Sequence, residues 1–271
     1  MKYKLIAIDL DGTLTNQRKE VTPRTLEALM LAQEQGLRLV IASGRPTHGV
    51  LPIAEMLQLS RYGGFLLSYN GAEIYDCQAQ KMIYRQAIDL SLLPTIYQYA
   101  RDYHFAVETF KDNLAITEQP DDPYIQRQAR INRLTITKVT DWVGEIDFPV
   151  MKCLIVGEPE RLEQLEQVMR PEMEGKLNIC RSESYFLEIV DKDVDKASAL
   201  SRLLDYTHCK REELVAVGDS YNDISMIRFA GLGVAMANAK KIVRQHADYI
   251  TRSNEDDGVA DLIYWIMKEM Y

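Results

Sequence analysis

The sequence lacks the features that mark several large classes of protein. Its four cysteines form no CxxC pair, which argues against a zinc site or a redox motif and favours free thiols in a reducing compartment. They are Cys77, Cys153, Cys180 and Cys209. No apolar run reaches the roughly 20 residues of a membrane span, and no stretch at the N-terminus is long enough for a signal peptide. We therefore expect a cytoplasmic protein that inserts into no membrane.

The chain also has no excess of positive charge, no internal repeat and no low-complexity linker. It carries 40 acidic against 32 basic residues, a net charge of −8. Such a protein is a poor partner for nucleic acid or for an anionic membrane surface. An anionic substrate would need local positive charge or a metal ion. The 271 residues are enough for two domains, and the sequence leaves both a monomer and a homodimer open.

What the chain does have is a pair of carboxylates at the end of its first apolar run. Asp9 and Asp11 follow residues 5–8, Leu-Ile-Ala-Ile, a run typical of a buried parallel strand. The next residues, Gly12 and Thr13, suit a tight turn. In open α/β sheets, ligands gather outside the carboxyl ends of the strands. We therefore expect chemistry at these two acids.

Strand and helix patterns alternate at both ends of the chain. Thr22-Pro23 is typical of a helix start, and the helical spacing after it leads to a second buried strand at 37–42. A strand-helix-strand unit implies a parallel sheet. Between about residues 84 and 185, short strands are grouped with two long helices instead. The predicted fold is α/β, a Rossmann-like doubly wound parallel sheet with an inserted α+β domain.

Polar residues follow two further strands. Ser43-Gly44 ends the second strand just before a helix pattern, where a hydroxyl and backbone N–H groups can meet an anion. An ordinary capped turn explains the same two residues. Asn70-Gly71 lies between two strand patterns and is chiefly a hairpin signal. A position of Asn70 near the ligand is the alternative.

A late strand ends in a second acidic cluster. Asp219 and Asp223 follow the apolar run 214–217 and lie four residues apart across a helix start, so they share a face. Lys196 begins another helix pattern. Single acids at such positions often only cap helices. Carboxylate oxygens, waters and a phosphate oxygen together make a Mg²⁺ site, however, and the combination with Asp9 points to one.

Taken together, these residues resemble four sequence motifs of the haloacid dehalogenase superfamily. The matching stretches are Asp9-Leu10-Asp11-Gly12-Thr13, Ser43-Gly44-Arg45, Lys196 and Gly218-Asp219-Ser220-Tyr221-Asn222-Asp223. The long insertion between the second and third motifs resembles the class IIB caps of the Cof-type phosphatases. The resemblance implies a catalytic core at 1–84 and 186–271, and a C2-type (IIB) α+β cap at 85–185.

The resemblance also implies a role for each matched residue. Asp9 would be the nucleophile that forms an aspartyl-phosphate, and Asp11 would protonate the leaving alkoxide and then deprotonate water. The carboxylates of Asp9 and Asp219 and the backbone carbonyl of Asp11 would hold Mg²⁺. Asp223 would hold the waters of the metal or Lys196. The phosphoryl oxygens would be bound by Ser43, Gly44, Lys196 and Asn222.

The implied function is a Mg²⁺-dependent phosphatase that hydrolyses small phosphorylated metabolites, above all sugar phosphates. A phosphomutase of the same superfamily shares the phosphoaspartate, and the motifs do not exclude it. A non-catalytic phosphate-binding regulator fits less well, because it needs no cap. One departure from the family pattern is Ala197, where glycine is common, and it leaves the backbone path at that turn open. Candidates for contacts with the substrate or cap are Arg45, Asn70, Arg181, Tyr185 and Glu188.

Overall fold

The computed structural model describes residues 2–268. Residues 1 and 269–271, which the predicted core includes, lie outside the described residues. The described residues form fourteen strands in chain order: β1 (Leu5–Asp9), β2 (Arg38–Ala42), β3 (Phe65–Ser68), β4 (Glu73–Asp76), β5 (Lys81–Arg85), β6 (Ala106–Lys111), β7 (Leu114–Thr117), β8 (Thr135–Lys138), β9 (Cys153–Val156), β10 (Leu177–Glu183), β11 (Phe186–Asp191), β12 (Leu214–Gly218), β13 (Leu232–Ala235) and β14 (Tyr249–Ile250).

Helices connect most of these strands, and within residues 2–268 none of them is both long and apolar enough to cross a membrane. In chain order they are α1 (Pro23–Glu34), α2 (Thr47–Met56), α3 (Leu59–Tyr62), α4 (Leu93–Asp102), α5 (Pro123–Asn132), α6 (Pro159–Glu172), α7 (Lys196–Thr207), α8 (Ile224–Phe229), α9 (Lys241–Arg244) and α10 (Gly258–Lys268).

The first sheet has the strand order β14-β13-β12-β1-β2-β3-β4-β5. The strands from β14 to β3 are parallel, and β4 and β5 continue the sheet as antiparallel hairpins. All five residues of β1 are buried, as their apolar run predicts for a central parallel strand. Because β1 lies between β12 and β2, the sequence motifs that follow these three strands meet at one edge of the sheet.

The second sheet has the order β10-β11-β9-β6-β7-β8 and is antiparallel except for the pair β7–β8. It is built by residues 86–194, which we call the cap segment, and we call this sheet the cap sheet. The segment leaves the first sheet after β5 and returns at α7. The predicted α/β fold with an α+β insertion is thus confirmed.

The end of the insertion corrects the predicted boundary. The sequence analysis assigned residues from 186 onward to the core, yet β11 pairs with β9 and β10 in the cap sheet. A short apolar run of this kind suits a buried strand in either sheet, so its sequence does not indicate its partners. At the other boundary, residue 84 falls one residue before the end of β5.

The two faces of the cap sheet bury different neighbours. Leu187 and Ile189 belong to the apolar cluster that packs against α4 and α6. Phe186 and Val190 belong to a second cluster, which includes Tyr69 from the first sheet's β3–β4 turn. Since side chains alternate along a strand, one face of the cap sheet is directed toward the core. We call it the core-facing side.

The start of α7 is fixed by two reciprocal hydrogen bonds. The Asp195 carboxylate accepts from the backbone N–H of Ser198 at 2.6 Å, and Ser198 Oγ accepts from the backbone N–H of Asp195 at 3.1 Å. This capping box satisfies two N–H groups that the helix leaves unpaired. The helix therefore begins at Lys196, and Ala197 is its second residue.

The core-facing side contains a buried acid, Glu108, that has no hydrogen-bond partner among the described residues. Glu108 of β6 is fully buried, and within the described part of the chain neither of its carboxylate oxygens has a hydrogen-bond donor. Burial raises the pKa of Glu108 well above its usual range, although the nearby Lys152 charge opposes the shift. When folding raises the pKa of a carboxylic acid, the folded protein becomes less stable as pH rises. The loss begins near the unfolded pKa of the acid, about 4.3, and continues up to its folded pKa.

Glu108→Gln is therefore expected to raise the melting temperature, and to raise it more at pH 7.5 than at pH 5. Each kcal/mol gained corresponds to about 2–4 °C in a chain of this size. Thermal melts at the two pH values measure the effect, and Glu174→Gln, at an exposed residue after α6, is the matched control. A melting temperature of Glu108→Gln that is unchanged at both pH values would show that the carboxylate costs the fold nothing.

Candidate active site

The centre of the site is a buried lysine between two aspartates. Lys196 Nζ donates to Asp9 Oδ1 and to Asp223 Oδ1, both at 2.6 Å. Burial alone would lower the pKa of Lys196, but the charges of Asp223 and Asp9 outweigh it and raise that pKa. The ammonium therefore stays charged at the end of β1, where an incoming anion would meet it.

A third carboxylate completes an acidic cluster. Asp9, Asp219 and Asp223 each place an oxygen within 4.8 Å of the others. Both oxygens of Asp223 are engaged, because Oδ2 accepts from the backbone N–H groups of Asp219 at 2.9 Å and Ser220 at 2.8 Å. Asp219 Oδ1 accepts from Thr13 Oγ1 at 2.8 Å. Asp9 and Asp219 each use one oxygen in these hydrogen bonds, so the other can face a cation.

The electrostatics of this cluster fit a divalent cation. Burial and the Asp223 charge raise the pKa of Asp219 to about 7. The same two causes raise the pKa of Asp9 well above its usual range. Carboxylates that resist ionisation in this way are stabilised when a cation lies between them. The donors are all oxygens, which is the ligand set of Mg²⁺ rather than of zinc or copper.

Gly12 allows Asp219 to approach the loop after β1. Its φ is +89°, and a Cβ at this position would lie 2.7 Å from Asp219 Oδ2. A side chain would therefore both strain the backbone and push the carboxylate away. The glycine of the first motif is explained by this close approach.

The second acid of the first motif has different neighbours. Arg45 holds Asp11 with two hydrogen bonds, Nε to Oδ2 at 2.7 Å and Nη2 to Oδ1 at 2.6 Å, and Lys19 Nζ lies 2.8 Å from Oδ1. Burial raises the pKa of Asp11, but the hydrogen bond and charge of Arg45, with Lys19, outweigh it and lower that pKa. In this arrangement Asp11 is an ionised base. Arg45, predicted as a substrate contact, is first of all the partner of Asp11.

The loop after β2 lies beside these acids. Ser43 is buried, its backbone N–H donates to Leu67 O at 2.8 Å, and its Oγ accepts from the backbone N–H of Arg45 at 3.1 Å. The Gly44 carbonyl accepts from Lys152 Nζ of the cap segment at 2.7 Å. Phosphate binding by Ser43 and Gly44 stays a prediction, at residues that the fold brings to the edge of β1.

Asn70 lies in the turn of the predicted hairpin and is hydrogen-bonded to two other predicted site residues. β3 and β4 form the predicted hairpin, and Asn70 has a φ of +58° in the turn between them. Its Nδ2 also donates to Glu188 Oε2, and its Oδ1 accepts from Asn222 Nδ2 at 3.0 Å. The turn residue is thus part of the site, and the contact of Asn222 with a phosphoryl group stays a prediction.

A cavity of about 100 Å³ lies between these loops and the cap segment. Among the residues predicted for the site, those that line it are Asp9, Asp11, Ser43, Gly44, Arg45, Tyr185, Glu188 and Asn222. Its wall also contains polar residues that the sequence analysis did not single out, namely Lys19, Arg127, Gln128, Asn132 and Lys152. Of these, Lys152 had a sequence signal, because a lysine inside the apolar run 150–156 is unusual.

Arg181 lies outside this cavity and is paired with helix α6. Its Nε lies 2.5 Å from Glu166 Oε2 and its Nη2 lies 3.2 Å from Glu163 Oε1, both on α6. It does not line the cavity described above, but it lines a second cavity that Lys196 also lines. A contact of Arg181 with the substrate therefore stays a prediction. Leu177 and Ile179, four and two residues earlier on β10, belong to the cluster that packs against α6. The alternation along β10 therefore directs Arg181 away from the core-facing side.

Known proteins are similar to this chain over nearly its whole length. A family model described as haloacid dehalogenase-like hydrolase matches residues 6–263. A haloacid dehalogenase-like hydrolase from Bacteroides thetaiotaomicron has a solved structure that is 48% identical, with a TM-score of 0.90, covering 98% of this chain and 100% of that one. Two relatives come from Bacillus subtilis (strain 168). The 5-amino-6-(5-phospho-D-ribitylamino)uracil phosphatase YcsE is 30% identical over 97% of this chain and 96% of its own. Phosphatase YwpJ is 30% identical over 96% of this chain and 98% of its own.

Proposed function

The chain belongs to the haloacid dehalogenase-like hydrolases, and we propose that it is a Mg²⁺-dependent phosphatase acting on small phosphorylated metabolites through an aspartyl-phosphate. The observation that carries the proposal is the environment of Asp9. One of its oxygens is held by Lys196, the other can face the cavity, and Asp219 lies beside it. A nucleophilic carboxylate needs such neighbours, because a phosphate otherwise repels it. Within this proposal, the cap segment covers the site as a separate domain.

In the first step, a carboxylate oxygen of Asp9 attacks the phosphorus of the ester. The bond from phosphorus to the ester oxygen breaks, and the leaving alkoxide takes a proton from Asp11. Because Arg45 and Lys19 hold Asp11 ionised in the free protein, Asp11 must gain that proton when substrate binds. A phosphate monoester, whose second pKa is about 6, can bring it.

In the second step, water attacks the phosphorus of the aspartyl-phosphate. Asp11 takes the proton of the water, the bond from phosphorus to Asp9 breaks, and inorganic phosphate and the Asp9 carboxylate are released. Ser43, the Gly44 N–H, Lys196 and Asn222 are the groups proposed to bind the phosphoryl oxygens in both steps.

Asp9 and Asp219 would hold the Mg²⁺, together with the backbone carbonyl of Asp11, and Asp223 would keep Lys196 and the Asp219 loop in place. When bound, the metal neutralises charge on the phosphoryl oxygens and on the attacking carboxylate. The residues fit this cation because the carboxylates are crowded and all donors are oxygens.

The cavity supports a leaving group rich in hydroxyls. Gln128 Oε1 and Asn132 Oδ1 are buried acceptors that have no donor among the described residues, and Arg127 supplies donors on the same wall. A buried acceptor without a donor is costly, so a hydroxyl group of the substrate would satisfy it. The relative YcsE is named for a phosphorylated ribityl compound. We therefore propose sugar phosphates or related polyol phosphates as substrates, and the cytoplasm as the compartment, where the four free thiols stay reduced.

The test is a panel of phosphorylated metabolites with purified protein and Mg²⁺, read as free phosphate. We expect release from at least one sugar phosphate, and a loss of at least about 100-fold after chelation that added Mg²⁺ restores. An isomerised sugar phosphate without free phosphate would identify a phosphomutase instead. Full activity after exhaustive chelation would refute the metal site.

A further inference from the structure

A lysine of the cap segment reaches the loop that follows β2. Lys152, just before β9, is 3% exposed, and its Nζ donates to the backbone carbonyl of Gly44 at 2.7 Å. The same Nζ lies 3.0 Å from Glu188 Oε1 of β11. A cap side chain is therefore bonded to the main chain of the proposed phosphate-binding loop.

Glu188 extends this contact to two further loops of the core. It is 4% exposed and accepts from Lys152, from Ser182 Oγ at 2.9 Å and from Asn70 Nδ2. Asn70 Oδ1 accepts in turn from Asn222 Nδ2 at 3.0 Å. One chain of hydrogen bonds thus joins two strands of the cap sheet to the loops after β2, β3 and β12.

Glu188 lies so close to Gly44 that no side chain fits at position 44. A Cβ on Gly44 would lie 2.9 Å from Glu188 Oε2 and 3.1 Å from Asn70 Oδ1. The absence of a side chain at Gly44 therefore lets the cap sheet and the loop come into contact through polar atoms.

The charges of Lys152 and Glu188 lie on the same side of the contact between cap and core, which affects the cost of burying them. Lys152 and Glu188 both belong to the cap segment, so their ion pair stays intact if the cap opens, and only the bonds to Gly44 and Asn70 break. A single charge buried at this place would be strongly destabilising. Paired, each charge neutralises the other, and the cap can bring an ammonium group onto the Gly44 carbonyl.

We propose that Lys152 and Glu188 are positioning residues that fix the geometry of the phosphate-binding loop when the cap is closed. The inference rests on the proposed function. By holding the Gly44 carbonyl, Lys152 orients the peptide between Gly44 and Arg45. The N–H of that peptide donates to Ser43 Oγ, and the Arg45 side chain holds Asp11. Closure of the cap would thus fix the orientation of both the Ser43 hydroxyl and the Arg45 side chain.

Lys152→Met tests the inference because it keeps the length of the side chain and removes its charge. We expect kcat to fall about 10- to 100-fold with a smaller change in KM, as misplacement of a reacting group commonly costs that much. The factor should be the same for every phosphomonoester, since the loop contacts the phosphate and not the leaving group. Glu188→Gln should act similarly, and the double variant should lose less than the product of the two losses.

Two physical measurements accompany the kinetics. Hydrogen exchange of the backbone amides of residues 43–45 should be faster in Lys152→Met than in the wild type. The melting temperature should fall by less than about 2 °C, because Glu188 returns to water when the cap opens. Lys138→Met, at an exposed lysine of β8, is the matched control and should change none of these values.

The outcomes separate the inference from the proposed function. A wild-type protein that releases no phosphate from any panel member contradicts the proposed function, while the hydrogen-exchange comparison still tests the loop contact. Wild-type kcat in Lys152→Met overturns the inference. A loss confined to one leaving group overturns it in favour of a substrate contact. A large fall in melting temperature with unchanged exchange at residues 43–45 overturns it in favour of a purely structural ion pair.

Discussion

Asp9→Asn is expected to abolish phosphate release and to leave the fold intact. The amide is a poor nucleophile, and among residues 2–268 no other carboxylate lies at the same place between Lys196 and the cavity. Removal of a catalytic nucleophile commonly lowers kcat by at least about 10⁴-fold. Because burial and Asp223 already raise the pKa of Asp9, loss of its charge should not lower the melting temperature.

Phosphate release under saturating substrate and Mg²⁺, with a thermal melt of the same samples, measures both parts of this expectation. Asp205→Asn, the same substitution at an exposed residue of α7, is the control and should retain full activity. Near-wild-type activity of Asp9→Asn would sink the assignment of the nucleophile.

Lys196→Met is expected to remove both activity and stability. The substitution leaves Asp9 and Asp223 without their shared cation in a fully buried position. Removal of one partner of a buried ion pair typically costs about 3–5 kcal/mol, and kcat should fall at least about 100-fold because the phosphate loses its cation. Thermal melts and phosphate release, with the exposed Lys241→Met as control, measure the two effects.

The double variant Lys196→Met with Asp223→Asn separates these effects. It removes one of the two stranded negative charges, so the melting temperature should partly recover while activity stays lost. If Lys196→Met alone kept the wild-type melting temperature and kcat, the lysine would have neither of the roles given to it here.

The sequence could predict those site residues that lie directly at the end of one strand. Asp9, Ser43 and Asp219 each follow an apolar run, and the parallel order of β2, β1 and β12 brings such ends to one edge. Lys196 follows the same logic, since a capping aspartate marks the start of its helix. For these residues, local pattern and the rules of parallel sheets are sufficient.

The cap contacts depend on pairings that local pattern does not determine. Arg181 was chosen for its nearness to the return of the chain, but alternation along β10 turns it toward α6. The strand β11 was assigned to the wrong sheet for a related reason, because a buried strand has the same composition in either. Lys152 and Glu188 meet the core only through the register of β9 and β11, which involves residues far apart in the chain.

The two contacts between the cap segment and the core would require different residues if one of these two parts were replaced by that of another protein. Lys152 binds the backbone carbonyl of Gly44, where a Cβ would lie 2.9 Å from Glu188 Oε2, whereas Glu188 binds the side chain of Asn70. In chimeras that join this cap segment to the core of another protein, the lysine contact could form with a loop that has glycine at position 44. The glutamate contact would form only where an amide or another donor stands at position 70. Compatibility between grafted halves should therefore be decided at positions 44 and 70, and during divergence the two ends of the Glu188 contact would have to change together.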